Sequence, residues 1–167
     1  MYNSAEMTLI ATAPVRVYAD TSVYGGAFDD EFAVPSREFF EQVRSGRYRL
    51  VTCPLLRDEL EDAPPQVRQW YEQFEAGSER VRVSEAAVLL QQAYLRVGIV
   101  GRKWEADALH VAVATASDCR LIVSWNFSHI VSFQKIPLYN GVNLSRGFGA
   151  IAIHSPQEVI EHEDQDV

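Results

Sequence analysis

The chain has 167 residues, 47% of them hydrophobic and 23% charged, which suits one soluble domain burying roughly two-thirds of its unfolded surface in a single core. No apolar run reaches the roughly 20 residues that a membrane helix needs. Met1 to Pro14 has no basic start and only a brief apolar patch (Leu9 to Ala11), so it does not read as a signal peptide. The formal net charge of −8 argues against a broad phosphate-binding surface. Five of the acids (Glu158, Glu161, Glu163, Asp164, Asp166) crowd into the last ten residues, and without them 18 acids face 15 bases, which leaves room for a small one.

In chain order, Val15 to Asp20 alternates with β-branched residues and predicts a first strand. Ser36 can cap a helix running to about Arg44, with Phe39, Phe40 and Val43 as its apolar face and Gly46 as its stop. Tyr48 to Thr52 predicts a second strand, after which Thr52 caps a helix carrying Pro54 in its first turn and Glu59 near its end. Pro64-Pro65 breaks that helix and opens the next, with Val67, Trp70, Tyr71 and Phe74. Val81-Arg-Val reads as a short strand, and Ser84 caps a helix that ends near Val97 before Gly98. A helix over 104–117, a strand over 120–124, a last strand over 150–154 and a short helix from Ser155 complete the pattern. Strands alternating with helices predict an α/β fold with a mostly parallel sheet covered on both faces. The expected organisation is an extension over 1–14, one domain over 15–160 and an acidic tail over 161–167. Cys53 and Cys119 are isolated and read as buried thiols in a reducing cytoplasm, not as a zinc site or a disulfide.

The polar residues that carry chemistry sit where α/β proteins gather it, at strand ends and helix starts. Asp20 ends the first strand and is followed by Thr21 and Ser22; Asn126 follows the Leu121 to Trp125 strand. Asp107 opens a helix of small apolar residues, and Glu59 reaches back over the same edge. Singly these read as a cap, a turn asparagine, a dipole partner and a surface glutamate. Together they place three carboxylates and an amide on one rim, where a cation would relieve their mutual repulsion. Hard oxygens with open positions suit Mg²⁺ or Mn²⁺ and hydrolysis of a phosphodiester. His110, one turn after Asp107, reads as a structural histidine with a satisfied ring; His129 stays open between ligand, base and loop residue. Trp104 and Trp125 flank the rim and read as core or lid, with stacking on a base as the other choice. Arg16, Arg57, Lys103, Arg120 and Lys135 are scattered candidates for phosphate contacts. Gly25-Gly26 is a turn signal, and there is no Walker loop or GxSxG elbow.

Val17-Tyr-Ala-Asp20-Thr-Ser, Glu59 in Leu55-Leu-Arg-Asp-Glu-Leu, Ala106-Asp107-Ala-Leu-His-Val-Ala and Leu121-Ile-Val-Ser-Trp-Asn126-Phe resemble, in order and spacing, the motifs of PIN domains. The similarity is greatest to VapC-type toxin ribonucleases and spans Val15 to Ile160. The resemblance implies a three-layer α/β/α sandwich with a five-stranded sheet, cleavage of single-stranded RNA in the cytoplasm, a homodimer, and inhibition by a small antitoxin protein. It implies that Asp20, Glu59 and Asp107 hold the Mg²⁺ or Mn²⁺ ion and that Asn126 orients water or phosphate. Thr21, Ser22, Ser124 and His129 are then the candidates for contact with the RNA, and Asp107 or Glu59 the group that deprotonates water. The fourth acidic position of the family is Asn126 here, and His129 stands where many relatives carry a further acid; both departures remove negative charge. Two other readings compete: a PIN-like module that binds RNA or protein without cutting, and a phosphatase-like hydrolase using Asp20 as nucleophile. Ser22 stands where the latter needs a second aspartate.

Overall fold

The computed structural model describes residues 13–160; the expected extension over 1–14, apart from its last two residues, and the acidic tail lie outside them. The strands are β1 (Val15–Ala19), β2 (Tyr48–Thr52), β3 (Glu79–Arg80), β4 (Leu121–Val123) and β5 (Ala152–His154). They form one five-stranded sheet in the order β3-β2-β1-β4-β5, and every neighbouring pair is parallel. The chain winds outward from β1 through β2 to β3, then returns to the other side of β1 to lay down β4 and β5. The winding direction therefore reverses between β1 and β4, and in such sheets the crevice beyond the carboxyl ends at that reversal is where ligands bind.

The helices are α1 (Thr21–Gly26), α2 (Ala33–Arg44), α3 (Pro54–Leu60), α4 (Pro65–Glu75), α5 (Glu85–Val97), α6 (Glu105–Ala116), α7 (Ile136–Ser145) and α8 (Pro156–Val159). They pack in two groups, with α5 against α6 and α7, and α2 against α1 and α8, which gives the three layers expected. Val17, Tyr18 and Ala19 of β1 and Ile122 and Val123 of β4 are wholly buried, as strands covered on both faces must be. No helix among the described residues is long and apolar enough to cross a membrane. Cys53 and Cys119 are buried and unbonded, and burial pushes the Cys119 thiol up to about 12.

Local chemistry moves several boundaries. Helix α2 starts at Ala33, three residues before the expected cap, because the turn at Asp29 feeds directly into it: Phe32 and Ala33 both donate to the Asp29 carbonyl. Pro35 fits there, since the first-turn amides have no partner within the helix. Ser36 is consequently not a cap; it is buried, and its hydroxyl accepts from Trp125 Nε1 at 2.8 Å. Cys53, not Thr52, is the N-cap of α3, while Thr52 stays in its strand and bonds Ser78 at 2.7 Å. The third strand is Glu79–Arg80, ahead of the expected Val81–Val83. It pairs with Val51 and Thr52, and β2 ends there because Pro54 follows and has no N–H to continue a ladder. Ser84 does cap α5, accepting from Ala87 N at 3.1 Å, and Gly98 closes that helix at φ +83.

Gly25 and Gly26 close a helix rather than making the free turn expected, and they differ in kind. A Cβ on Gly26 would sit 2.7 Å from Ser36 Oγ and 2.8 Å from Trp125 Nε1, whereas one on Gly25 would meet nothing within 4 Å. Gly26→Ala is therefore expected to destabilise by about 1–3 kcal/mol through overpacking, and Gly25→Ala to stabilise by about 0.5–1 kcal/mol. Thermal melts of the two variants check this; equal shifts of the same sign would refute the close approach of Gly26 to Trp125.

Candidate active site

Asp20 leaves the end of β1 at the reversal point, where its backbone N–H donates to the Val123 carbonyl at 3.2 Å. The residue is only 4% exposed. Its carboxylate accepts from Ser22 Oγ at 2.5 Å and from Ser124 Oγ at 2.6 Å, one hydroxyl from each side of the crevice. Those hydroxyls are themselves fixed: Ser22 Oγ accepts from Trp125 N and Ser124 Oγ accepts from Asn126 N, both at 2.9 Å. Burial is the largest influence on the Asp20 carboxyl and raises it above the ordinary aspartate range, while His110 and the two hydroxyls pull the other way. Neighbouring Glu59 adds to the rise by repulsion.

A second strand of contacts runs from β1 across the rim. Tyr18 OH and His110 Nδ1 are 2.7 Å apart, and His110 Nε2 lies 2.8 Å from Glu59 Oε1. Thr21 Oγ1 donates to Glu59 Oε2 at 2.9 Å. Elements β1, α6, α3 and α1 are thus joined through one carboxylate. His110 is 1% exposed with both ring nitrogens engaged, which is the satisfied structural histidine expected. Burial raises the Glu59 carboxyl, but the His110 hydrogen bond and charge, with Thr21, outweigh it and leave Glu59 below its ordinary value.

Asp107, in the first turn of α6, forms a third group. Its Oδ2 lies 2.9 Å from His129 Nδ1, and the His129 ring lies tilted against Trp104 with centroids 4.4 Å apart. Asn126 joins through its side-chain oxygen, which accepts from His129 N at 2.9 Å, so it braces the turn that carries the histidine. Tyr139 OH donates to the His129 carbonyl at 2.7 Å from α7.

The structure thus joins Asp20 with Ser22 and Ser124, Glu59 with Thr21, and Asp107 with His129 and Asn126. Asp20 and Glu59 are near enough to repel, but the three acids do not form one group. Among the described residues, no three His, Cys, Asp or Glu side chains group closely enough to hold a metal ion. The donors have the right chemistry for Mg²⁺ or Mn²⁺, hard oxygens flanked by hydroxyls, yet as arranged they do not fit a three-carboxylate cage. Of the scattered cations, Arg16 and Arg120 lie toward the opposite end of the sheet; Arg16 pairs with Glu79 at 2.9 Å and caps the Ser117 carbonyl. Arg57 is held by Glu75 at 2.5 Å, and Lys135 donates to the Ser128 carbonyl at 2.6 Å. Sequence reasoning did not find Tyr18 or Ser36 as supports; a tyrosine two residues before a strand-end aspartate, on the same side of the strand, was the signal available for the first.

No family model matches the chain, and no curated protein does. Among solved structures, the chain is similar to a chain in the crystal structure of VapBC2 from Rickettsia felis bound to a DNA fragment from their promoter. The TM-score is 0.55 at 12% sequence identity, covering 84% of this chain and 98% of that one. The shared feature is the fold: the five-stranded parallel sandwich described above is similar to the fold of that chain.

Proposed function

We propose that the chain is a VapC-like endoribonuclease that hydrolyses phosphodiester bonds of single-stranded RNA, the toxin of a type II pair restrained by a small antitoxin protein. The observation that carries this reading is Asp20, a buried carboxylate with raised proton affinity, set between two serine hydroxyls at the reversal point of a VapC-like sheet. Ser22, Ser124 and Thr21 each donate their one O–H to Asp20 or Glu59, so they would reach phosphate oxygens only by giving up those bonds. Asp107 fixes the His129 ring through Nδ1, which leaves Nε2 as the ring atom for the RNA. The Asn126 oxygen is committed to its turn, so its amide nitrogen is the donor it can offer to phosphate. A homodimer is part of the same reading, and exposed Leu89 and Val97 on α5 and Leu138 and Leu144 on α7 are apolar positions available to its contact.

Dependence on Mg²⁺ or Mn²⁺ rests on donor chemistry alone, because the acids as arranged do not form a cage. That same separation favours one rival, a PIN-like module that binds RNA or protein without cutting it. An assay of single-stranded RNA cleavage in Mg²⁺, Mn²⁺ or EDTA, with parallel thermal melts, separates the two. The nuclease reading expects cleavage that EDTA abolishes and a melting temperature raised by about 5–10 °C when the ion is at about 100 times its dissociation constant. No cleavage in any metal and no Mn²⁺-dependent rise would leave the binding module.

A further inference from the structure

Three tryptophans serve this chain differently. Trp70 and Trp125 pack against the core, the latter stacked on Phe32 with centroids 4.3 Å apart. Trp104 is outside the core packing and 42% exposed. It ends the single 3₁₀ turn Arg102–Trp104 that leads into α6, directly before the turn carrying Asp107. One side of its ring lies against His129, tilted 31°, and that histidine holds Asp107. The exposed Arg102 and Lys103 precede it, and Lys103 Nζ lies over the ring, 5.0 Å from its centroid, on a flexible stem.

Leaving a large indole in water forgoes a sizeable hydrophobic gain, so an exposed one beside a catalytic rim asks for an occupant. A π-face covered only by a mobile lysine, with an exposed arginine one residue further back in the chain, matches one kind of occupant well: a base with its own phosphate. A protein partner would also use a tryptophan and an arginine, but lysine is depleted at such interfaces, so Lys103 at the ring favours an occupant that carries a phosphate.

We propose that Trp104 is a stacking platform for one unpaired nucleobase of the RNA, with Arg102 and Lys103 receiving the adjoining phosphate. The proposal rests on the RNA reading above. Stacked there, the base would register the strand against His129 and Asp107, and base-paired RNA, whose faces are covered, would be disfavoured. Lys103 can swing from the ring to the phosphate as the base arrives, since its stem is long and rotatable.

The test is fluorescence anisotropy of a labelled single-stranded oligoribonucleotide, and of the same oligomer carrying abasic sites, measured in EDTA with wild type, Trp104→Ala, Trp104→Leu and Trp104→Phe. Stacking is worth about tenfold in affinity per base, so the Ala and Leu variants are expected to bind about tenfold more weakly and Phe within about twofold of wild type. The abasic oligomer should show little difference among the four proteins. Leucine keeps apolar packing against His129 but lacks a π-face, so wild-type binding by the Leu variant would overturn the platform, as would a Phe variant as weak as Ala. Wild-type protein that binds the unmodified oligomer while every variant matches it refutes only this inference. Wild-type protein that binds no RNA refutes the RNA reading as well. Thermal melts of the variants confirm that each is folded.

Discussion

Asp20→Asn is expected to slow RNA cleavage by at least about a hundredfold, the scale of losing one preorganised electrostatic group at a reacting centre, while leaving the protein at least as heat-stable as wild type at neutral pH. The two halves share one cause. Asp20 is buried, and burial raises its carboxyl above the ordinary aspartate range. A carboxyl with a raised folded-state pKa binds more protons folded than unfolded, so the stability it contributes in acid is lost as the pH rises from the ordinary value through the raised one. Above that window wild type carries a buried charge at a cost, and asparagine does not. The amide keeps one acceptor for a serine hydroxyl, and a hydroxyl that loses its carboxylate can turn to accept from the new NH₂. On the proposed reading, function sits where a charge is expensive, the common trade between activity and stability. Initial rates on single-stranded RNA, with melts at pH 4 and pH 8, test both halves: the variant should gain on wild type at the higher pH. Wild-type cleavage by Asp20→Asn would remove this residue from the chemistry. A melting temperature several degrees lower at both pH values would make the carboxylate a structural brace instead.

The sheet was legible because parallel strands covered on both faces must be apolar runs, and Val17 to Ala19 and Leu121 to Val123 are such runs. Helix α5 was legible at both ends because Ser84 and Gly98 do what their types do best. Helix α7 was not: Pro137, Asn140, Gly141 and Asn143 are poor helix formers, and it is held by tertiary contacts instead. Tyr139 is fully buried, Tyr94 OH donates to Asn143, and Asn140 bonds Ile151 on both sides of its amide. In the site, Asp20 and Asp107 stood out from strand-end and helix-start positions that sequence displays. Their partners did not, because whether Glu59 meets His110, or Asp107 meets His129, depends on how α3, α6 and the loop after β4 cross in space. The expectation of one shared cation rim came from order along the chain; the pairing of each acid with its own donor comes from that crossing.

His110→Ala is expected to destabilise the fold by about 3 kcal/mol, from the cavity left by a buried ring and the hydrogen bond lost by each of its two partners. For a domain of this length that is a fall of about 6–12 °C in melting temperature. Tyr18 OH would lose its 2.7 Å partner in a fully buried place, and Glu59 would lose the ring that holds its carboxylate against the pull of burial. Because Tyr18 and Glu59 act through the same ring, the losses will not add: Tyr18→Phe should cost less in the His110→Ala background than alone. The pH dependence distinguishes the two partners. Glu59 sits below its ordinary value, so its stabilising contribution is present above the ordinary glutamate range and is lost as the pH falls through the lowered one. The gap between wild type and His110→Ala should therefore narrow on acidification, leaving the cavity and Tyr18 share behind. Denaturant unfolding of the three variants from pH 3 to pH 7 measures both effects. Strict additivity, with a gap that does not change with pH, would mean that His110 fills space without joining Tyr18 to Glu59, and the rim would then be held by Thr21 alone on that side.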